Sequence, residues 1–366
     1  MGPSAEVQLE FLQRISRILD EGRFTTTYKF ALLIALTNVA VRRGRDDGSP
    51  LTVDLDEIAL EFIDMHWGMA RPFPGSDGAL LRFSSQRGRQ AAIVGEVAKH
   101  AATTRTSHVR VRAYRDREAR LRERIRETLT RDVLYRLQSI GPTRGRDPAE
   151  VATSADQAAQ FIYSHPPSAA ACKRLRSIEL KPGVPACLRS LRPVIVGMAQ
   201  ARWALWMRSN NPQLGPDRTL EAFMFGSERV PLASYAERLY ELQGGRCFYL
   251  DSRLRSPRDA QVDHFLPRAR YALDAPQNLV LASPKANNDK RDHIASERHL
   301  ARWVSRNRSF AATETHIEHG TTDQGTAYAV ARWMYAIAER DAMQTWDGIR
   351  RYRHLEGEWR RLLPAG

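Results

Sequence analysis

The chain has 366 residues, 42% of them hydrophobic, and a formal net charge of +14 from 56 Lys and Arg against 42 Asp and Glu. That length and apolar content can bury a real core in two or three domains, and the mostly arginine excess favours a polyanionic partner, nucleic acid or an acidic membrane surface. The longest apolar segments, residues 30–41 and 194–207, fall short of the ~20 residues a spanning helix needs. Cys172, Cys187 and Cys247 are too scattered for a disulfide framework or a complete zinc site, and no secretory signal opens the chain. A soluble protein of a reducing, cytoplasmic compartment is expected.

In chain order, residues 7–73 read as helical. Phe11, Ile15, Ile18 and Leu19 recur at helical spacing, and Thr25–Thr27 can cap an apolar helix from Tyr28 to Val41. After the loop RRGRDDGSP, a further helix carries Leu55, Ile58, Ala59, Phe62 and Ile63, with His66 expected as a satisfied helix-face histidine. Pro72, Pro74, Gly75 and Gly78 make a break. The next helical region, residues 86–139, holds ten arginines from Arg105 to Arg131, interleaved with Asp116, Glu118, Glu123 and Glu127. Interleaving reads as a solvated helix laced with i,i+4 ion pairs. Clustering reads as a phosphate-contacting face, with Arg110, Arg112, Arg115 and Arg117 as candidates. GPTRGRDP at 141–148 is an exposed linker or turn, KPGVP at 181–185 a break, and residues 188–207 a buried helix with Trp203 and Trp206 as core.

After Gly245 the pattern changes to short β-rich runs. RCFYLDSRL and DAQVDHF, joined by RSPR, read as a hairpin, and NLVLA is a further short apolar run. Ser283 is a good N-cap with Pro284 at the first helical position, so a helix is predicted to begin there. Residues 294–304 and 327–363 read as helical, with Trp333, Tyr335, Trp346 and Trp359 as packing residues.

This C-terminal stretch carries the chemistry. Asp263 and His264 stand together at the end of a predicted strand, Asn278 lies in the following apolar run, and Asn287, Asn288 and Lys290 sit at a helix start. Phosphodiester hydrolysis needs a deprotonated water and neutralised charge on the phosphate and the leaving oxygen. Mg²⁺ takes oxygen ligands and keeps several waters, so a carboxylate and an amide oxygen suffice, and Asp263 and Asn287 offer that pair. Adjacent strand residues point to opposite faces, so Asp263 and His264 share a site only where the strand ends or twists; Pro267 favours such an ending. Asn287, Lys290 and Arg291 fall on one helix face near an N-terminus that itself favours phosphate, while Asn288 points about a quarter turn away. Asn278 can brace the loop and orient the imidazole.

The segment resembles the HNH family of endonucleases, the ββα-metal or His-Me finger group. The family pattern is a C-x-x-C knuckle, then D-H-x-x-P, N-L-x-x-L and C-H-N-x-x-K. Here stand Cys247, then Asp263-His264-Phe265-Leu266-Pro267, Asn278-Leu279-Val280-Leu281, and Ala286-Asn287-Asn288-Asp289-Lys290. The resemblance implies Asp263 and Asn287 as metal ligands, His264 as general base, Asn278 as its support and Lys290 at the phosphate. Arg268 and Arg291 join the arginines named above as nucleic-acid contacts. Asn287 in place of the family's third-position His makes this a His-Asn-Asn version. Leu250 and Ala286 replace knuckle cysteines, so no structural zinc is expected, and Cys247 should behave as a small buried hydrophobe. Packing by Phe248, Leu250, Leu254 and Val262 would hold the knuckle instead. The five matched positions span 28 residues, and the resemblance covers about residues 244–293.

The expected fold is mainly α. A helical N-terminal region (residues 1–140) and a helical middle region (141–232) precede a ββα-metal module (233–310) and C-terminal helices packing on it (311–366). The expected function is a Mg²⁺-dependent DNA endonuclease, with Mn²⁺ able to substitute, leaving 5′-phosphate and 3′-hydroxyl ends. Double-stranded DNA as substrate and a setting in bacterial defence or restriction come from the resemblance alone. Two other readings are a degenerate module that grips DNA without cutting it, and an RNA-directed or partner-activated nuclease that is silent alone.

Overall fold

The structure is a computed structural model that describes residues 2–21, 25–74, 80–86, 90–104, 115–138, 160–164, 173–214, 219–226, 233–312 and 324–364. It is mainly helical, with three separate two-stranded antiparallel sheets among the described residues. The chain divides into two compact units, one built on residues 1–108 with 114–228, the other on residues 229–366.

In the first unit, helix α1 (Ala5–Glu21) buries Phe11, Ile15, Ile18 and Leu19, the face set by their helical spacing. Helix α2 (Tyr28–Arg43) is enclosed along almost its whole length from Tyr28 to Val41, as its unbroken apolar run requires. Each enclosed Leu, Ile or Val there contributes roughly 1.5–3 kcal/mol. Strand β1 (Leu51–Asp54) precedes helix α3 (Leu55–Trp67), and the sequence had shown no strand in this region. Asp54 ends the strand and caps the helix: its carboxylate accepts from Asp56 N at 2.7 Å, and Glu57 answers in a capping box. β1 pairs with strand β2 (Ser177–Leu180) far along the chain, which local periodicity could not reveal. His66 is enclosed, its Nδ1 donating to Phe62 O at 2.8 Å.

Helices α4 (Ala92–Thr104) and α5 (Arg115–Thr128) follow. The single helix expected over residues 188–207 is two, α6 (Val184–Ser190) and α7 (Arg192–Asn210), because Pro193 lacks an N–H and starts a helix afresh. Trp203 of α7 is fully buried and stacks on Phe30 at 6.1 Å, whereas Trp206 is only half-buried. A short helix, α8 (Leu220–Phe225), completes the described part of this unit.

The second unit begins with helix α9 (Ala233–Leu242). The hairpin expected from RCFYLDSRL and DAQVDHF does not form. Residues 245–254 close on themselves instead: Cys247 N donates to Ser252 O, Leu254 N to Gly245 O, and Asp251 takes a positive φ of 58°. The partner of strand β3 (Gln261–His264) is strand β4 (Leu279–Ala282), so NLVLA is the sheet's second strand. Burial decides this, for all four β4 residues are enclosed and an apolar strand gains most in the centre of the unit. Helix α10 (Pro284–Lys290) follows, capped by Ser283 Oγ, and β3, β4 and α10 make the ββα core.

Helices α11 (Glu297–Ala312) and α12 (Gln324–Arg340) form the rest of this unit's core. Trp303 stacks on Phe265 at 4.9 Å and donates to Gln277 O, and Tyr335 OH donates to Ala295 O. The continuous helix expected to residue 363 stops at Arg340. Strands β5 (Thr345–Gly348) and β6 (Arg351–Arg353) intervene before the short helix α13 (Trp359–Leu362). Gly348 at φ 152° and Arg350 at φ 54° turn the chain there, conformations a helix does not allow. Among the described residues, no helix is long and apolar enough to cross a membrane.

Candidate active site

Strand β3 stops at His264, as the nearby Pro267 led us to expect. Asp263 pairs opposite Val280 and His264 opposite Leu279, and Phe265 N then donates to Asn278 O at 2.8 Å as the chain leaves the ladder. Asp263 and His264 consequently point to different partners from one strand end.

On one side, Asp263 Oδ2 accepts from Tyr249 OH at 2.6 Å and faces Lys290 Nζ at 3.0 Å. Burial, then the neighbouring Asp263 charge, push the Tyr249 phenol well above its ordinary pKa, so it remains a protonated donor. Lys290 has no exposed surface; its ammonium also donates to His264 O at 3.0 Å and lies 5.6 Å from the centre of the Tyr249 ring. A helix-start lysine expected to meet phosphate is here an internal brace between helix and strand. The enclosed ammonium is satisfied by a carboxylate and a carbonyl inside the unit.

Asn287 stands one helical turn before Lys290, so the two share a face of α10. Its Nδ2 donates to Gln261 Oε1 at 2.8 Å, and Gln261 lies two residues before Asp263 on the same face of β3. Helix and strand thereby bring Asp263 and Asn287 onto one side. Among the described contacts, Asp263 Oδ1 and Asn287 Oδ1 carry no hydrogen bond. Two hard oxygen donors, one anionic, fit a small divalent cation that keeps most of its waters. Among the described residues, no three His, Cys, Asp or Glu side chains gather to hold a metal, so any ion here would rest on this carboxylate–amide pair.

At the strand's last residue, His264 Nε2 lies 2.7 Å from Asp274 Oδ1, and Arg268 holds Asp274 Oδ2 at 3.1 Å. An ionised carboxylate only accepts, so Nε2 carries a proton, and in the neutral imidazole Nδ1 is then the acceptor nitrogen. Asn278 does not supply that orientation. It is fully buried, accepts from Leu266 N at 2.7 Å and donates to Leu266 O and Leu273 O, so it pins the loop that delivers Asp274.

Sequence reasoning missed Tyr249, Gln261 and Asp274. Asp274 is an unremarked loop residue ten positions after His264, and no periodicity or motif spacing marks it. Cys247 is buried as expected, and its sulfur accepts from Ser283 N at 3.2 Å, tying the turn at 247–252 to the helix cap. Arg291 is exposed at φ 51°, just past α10. Arg268 is partly committed to Asp274. Arg110 and Arg112 lie outside the described residues, and Arg115 opens α5 with a side chain that is not described.

A strand carrying Asp-His at its end, an antiparallel partner and a capped helix carrying Asn-x-x-Lys make one compact arrangement. Residues 249–296 match the model of the HNH endonuclease family. This segment is an HNH module. No curated protein and no solved structure is similar enough to the chain to match it. The HNH module points to a nuclease-type function, to the divalent-metal dependence general among HNH nucleases and to nucleic-acid binding.

Proposed function

We propose that the protein is a metal-dependent DNA endonuclease in which His264 deprotonates the attacking water. One observation carries the reading: Asp274 accepts from His264 Nε2 at 2.7 Å, which leaves Nδ1 as the base. A neutral imidazole held this way takes the water's proton as the water oxygen bonds to phosphorus. The bond from phosphorus to the 3′ oxygen breaks and that oxygen takes a proton from solvent water, leaving 5′-phosphate and 3′-hydroxyl ends. Asp263 and Asn287 would hold Mg²⁺, which supplies neutralising charge at the phosphate and the leaving oxygen. Tyr249 and Lys290 fix the Asp263 carboxylate from behind, and Asn278 sets the loop bearing Asp274.

Plasmid cleavage with Mg²⁺ or Mn²⁺ tests this, comparing wild type with His264→Ala and Asn287→Ala. Metal-dependent nicking or linearisation lost in both variants is the expected result. Cleavage that survives His264→Ala would exclude His264 as the base.

The Lys290–Asp263 pair favours a second reading. A buried cation on a proposed metal ligand opposes the incoming ion, so the module could grip DNA silently until a partner protein shifts that pair. Cleavage appearing only with a second component would select this reading.

A further inference from the structure

The hairpin of β5 and β6 has one enclosed strand and one wholly exposed strand. Its turn and outer strand run Arg350-Arg351-Tyr352-Arg353-His354, all exposed, with Tyr352 at 40%. Arg353 is partly engaged by Asp347 at 3.6 Å and Glu356 at 4.0 Å. Among the described residues, Arg350 and Arg351 make no ion pair.

This basic strand is fastened to the HNH module. Trp346 N donates to Ile294 O and Ser296 N to Trp346 O, both at 2.8 Å, so β5 is bonded to the chain that leaves the module helix. Asp289, two residues after Asn287, accepts from Trp346 Nε1 and from Arg350 N, each at 2.8 Å. The Tyr352 ring lies 5.0 Å from that of His293, on the same side. Of the acidic groups here, Asp289 accepts from Trp346 Nε1 and Arg350 N, Asp347 accepts from Ser296 Oγ and pairs with Arg298 and Arg353, and Glu356 pairs with Arg353.

Arg350 is placed at a cost. At φ 54° it occupies the left-handed region where glycine or asparagine is usual, and here an exposed arginine stands instead. Folding does not require that side chain, since Asp289 is bonded to its backbone N–H. Arg350 thus carries an exposed guanidinium on a run hydrogen-bonded to the helix bearing Asn287.

We infer that the β5–β6 hairpin is a duplex-DNA contact arm extending the substrate track of the HNH module past α10. Arg350 and Arg351 contact backbone phosphates, while Tyr352, packed against His293, braces the arm on the module. The inference rests on the nuclease reading for its choice of DNA. Exposed guanidinium groups outside any ion pair among the described residues suit phosphates, and alternation along a strand sets Tyr352 toward the module while Arg351 takes the opposite, outward face.

The test is binding of a fluorescent DNA duplex in EDTA, followed by anisotropy over a range of salt, for wild type, Arg350→Gly and Arg350→Gly/Arg351→Ala. The double variant is expected to bind roughly tenfold more weakly, with a log Kd versus log salt slope lower by about one per lost phosphate contact. Arg350→Gly is expected to unfold at the same temperature as wild type or higher, because glycine relaxes the positive φ. Equal affinity and salt slope in the double variant and wild type overturn the inference, and so does failure of wild type to bind the duplex. Weakened binding by the variant, with no cleavage by wild type under any metal, leaves the arm standing and removes the nuclease reading.

Discussion

The Lys290 ammonium stands 3.0 Å from Asp263 Oδ2 and is completely enclosed, so the charge proposed to face a metal is already paired from inside the protein. Replacing Lys290 with Met strips the partner from a largely buried carboxylate. The loss is expected to be about 3 kcal/mol or more by urea denaturation, and less in Lys290→Met/Asp263→Asn, where no lone charge remains. A bare stability change under 1 kcal/mol, with weakened DNA binding, would instead make Lys290 a phosphate ligand.

Asp274 fixes the His264 tautomer from a loop, and Asp274→Asn allows the opposite one, because an amide can donate as well as accept. Single-turnover cleavage should fall roughly 10- to 100-fold with folding intact, the effect typical of an orienting partner. Unchanged rates across pH in Asp274→Asn would assign the 2.7 Å contact to structure alone.

Two histidines make stability acid-sensitive. Burial, the largest cause in each case, pushes His66 and His299 down to about 4, from 6.5 for an unperturbed imidazole. Between those values the unfolded chain binds protons that the folded chain refuses. Stability is therefore full above about pH 6.5 and is lost as pH falls toward 4, by up to roughly 3 kcal/mol per histidine. Urea midpoints at pH 7 and pH 4.5 check this. His66→Phe should flatten the fall in the first unit, and an identical slope in that variant would be inconsistent with the assignment.

Chelation should leave the fold alone. The turn at residues 247–252 is held by Cys247 to Ser283 and by Phe248 against Tyr249 and Phe265, with Leu250 and Ala286 where a zinc knuckle has cysteines. Prolonged EDTA treatment is expected to shift Tm by less than about 2 °C, and elemental analysis of the purified protein should find no stoichiometric zinc. Loss of a structural zinc would be far more damaging, since binding such an ion contributes ~10 kcal/mol or more.

What the sequence determined by itself is local. The helical faces of α1 and α2, the Ser283-Pro284 start of α10 and the Asp263-His264 strand end all follow from interactions within a few residues. The order of Asp-His, Asn and Asn-x-x-Lys likewise sufficed to mark an HNH module. Tertiary structure decided which partners those residues meet. β3 could take its neighbour from residues 246–254 or 279–282, and burial of β4 on all sides selected the latter. Asp274 reaches His264 only because Asn278 folds the intervening loop. Lys290 turns inward because Asp263 and Tyr249 lie beneath its helix, and residues 345–353 form a hairpin because residues 294–296 and Asp289 bind it. Each of those choices depends on contacts between chain segments distant in sequence, whose energies no local periodicity encodes.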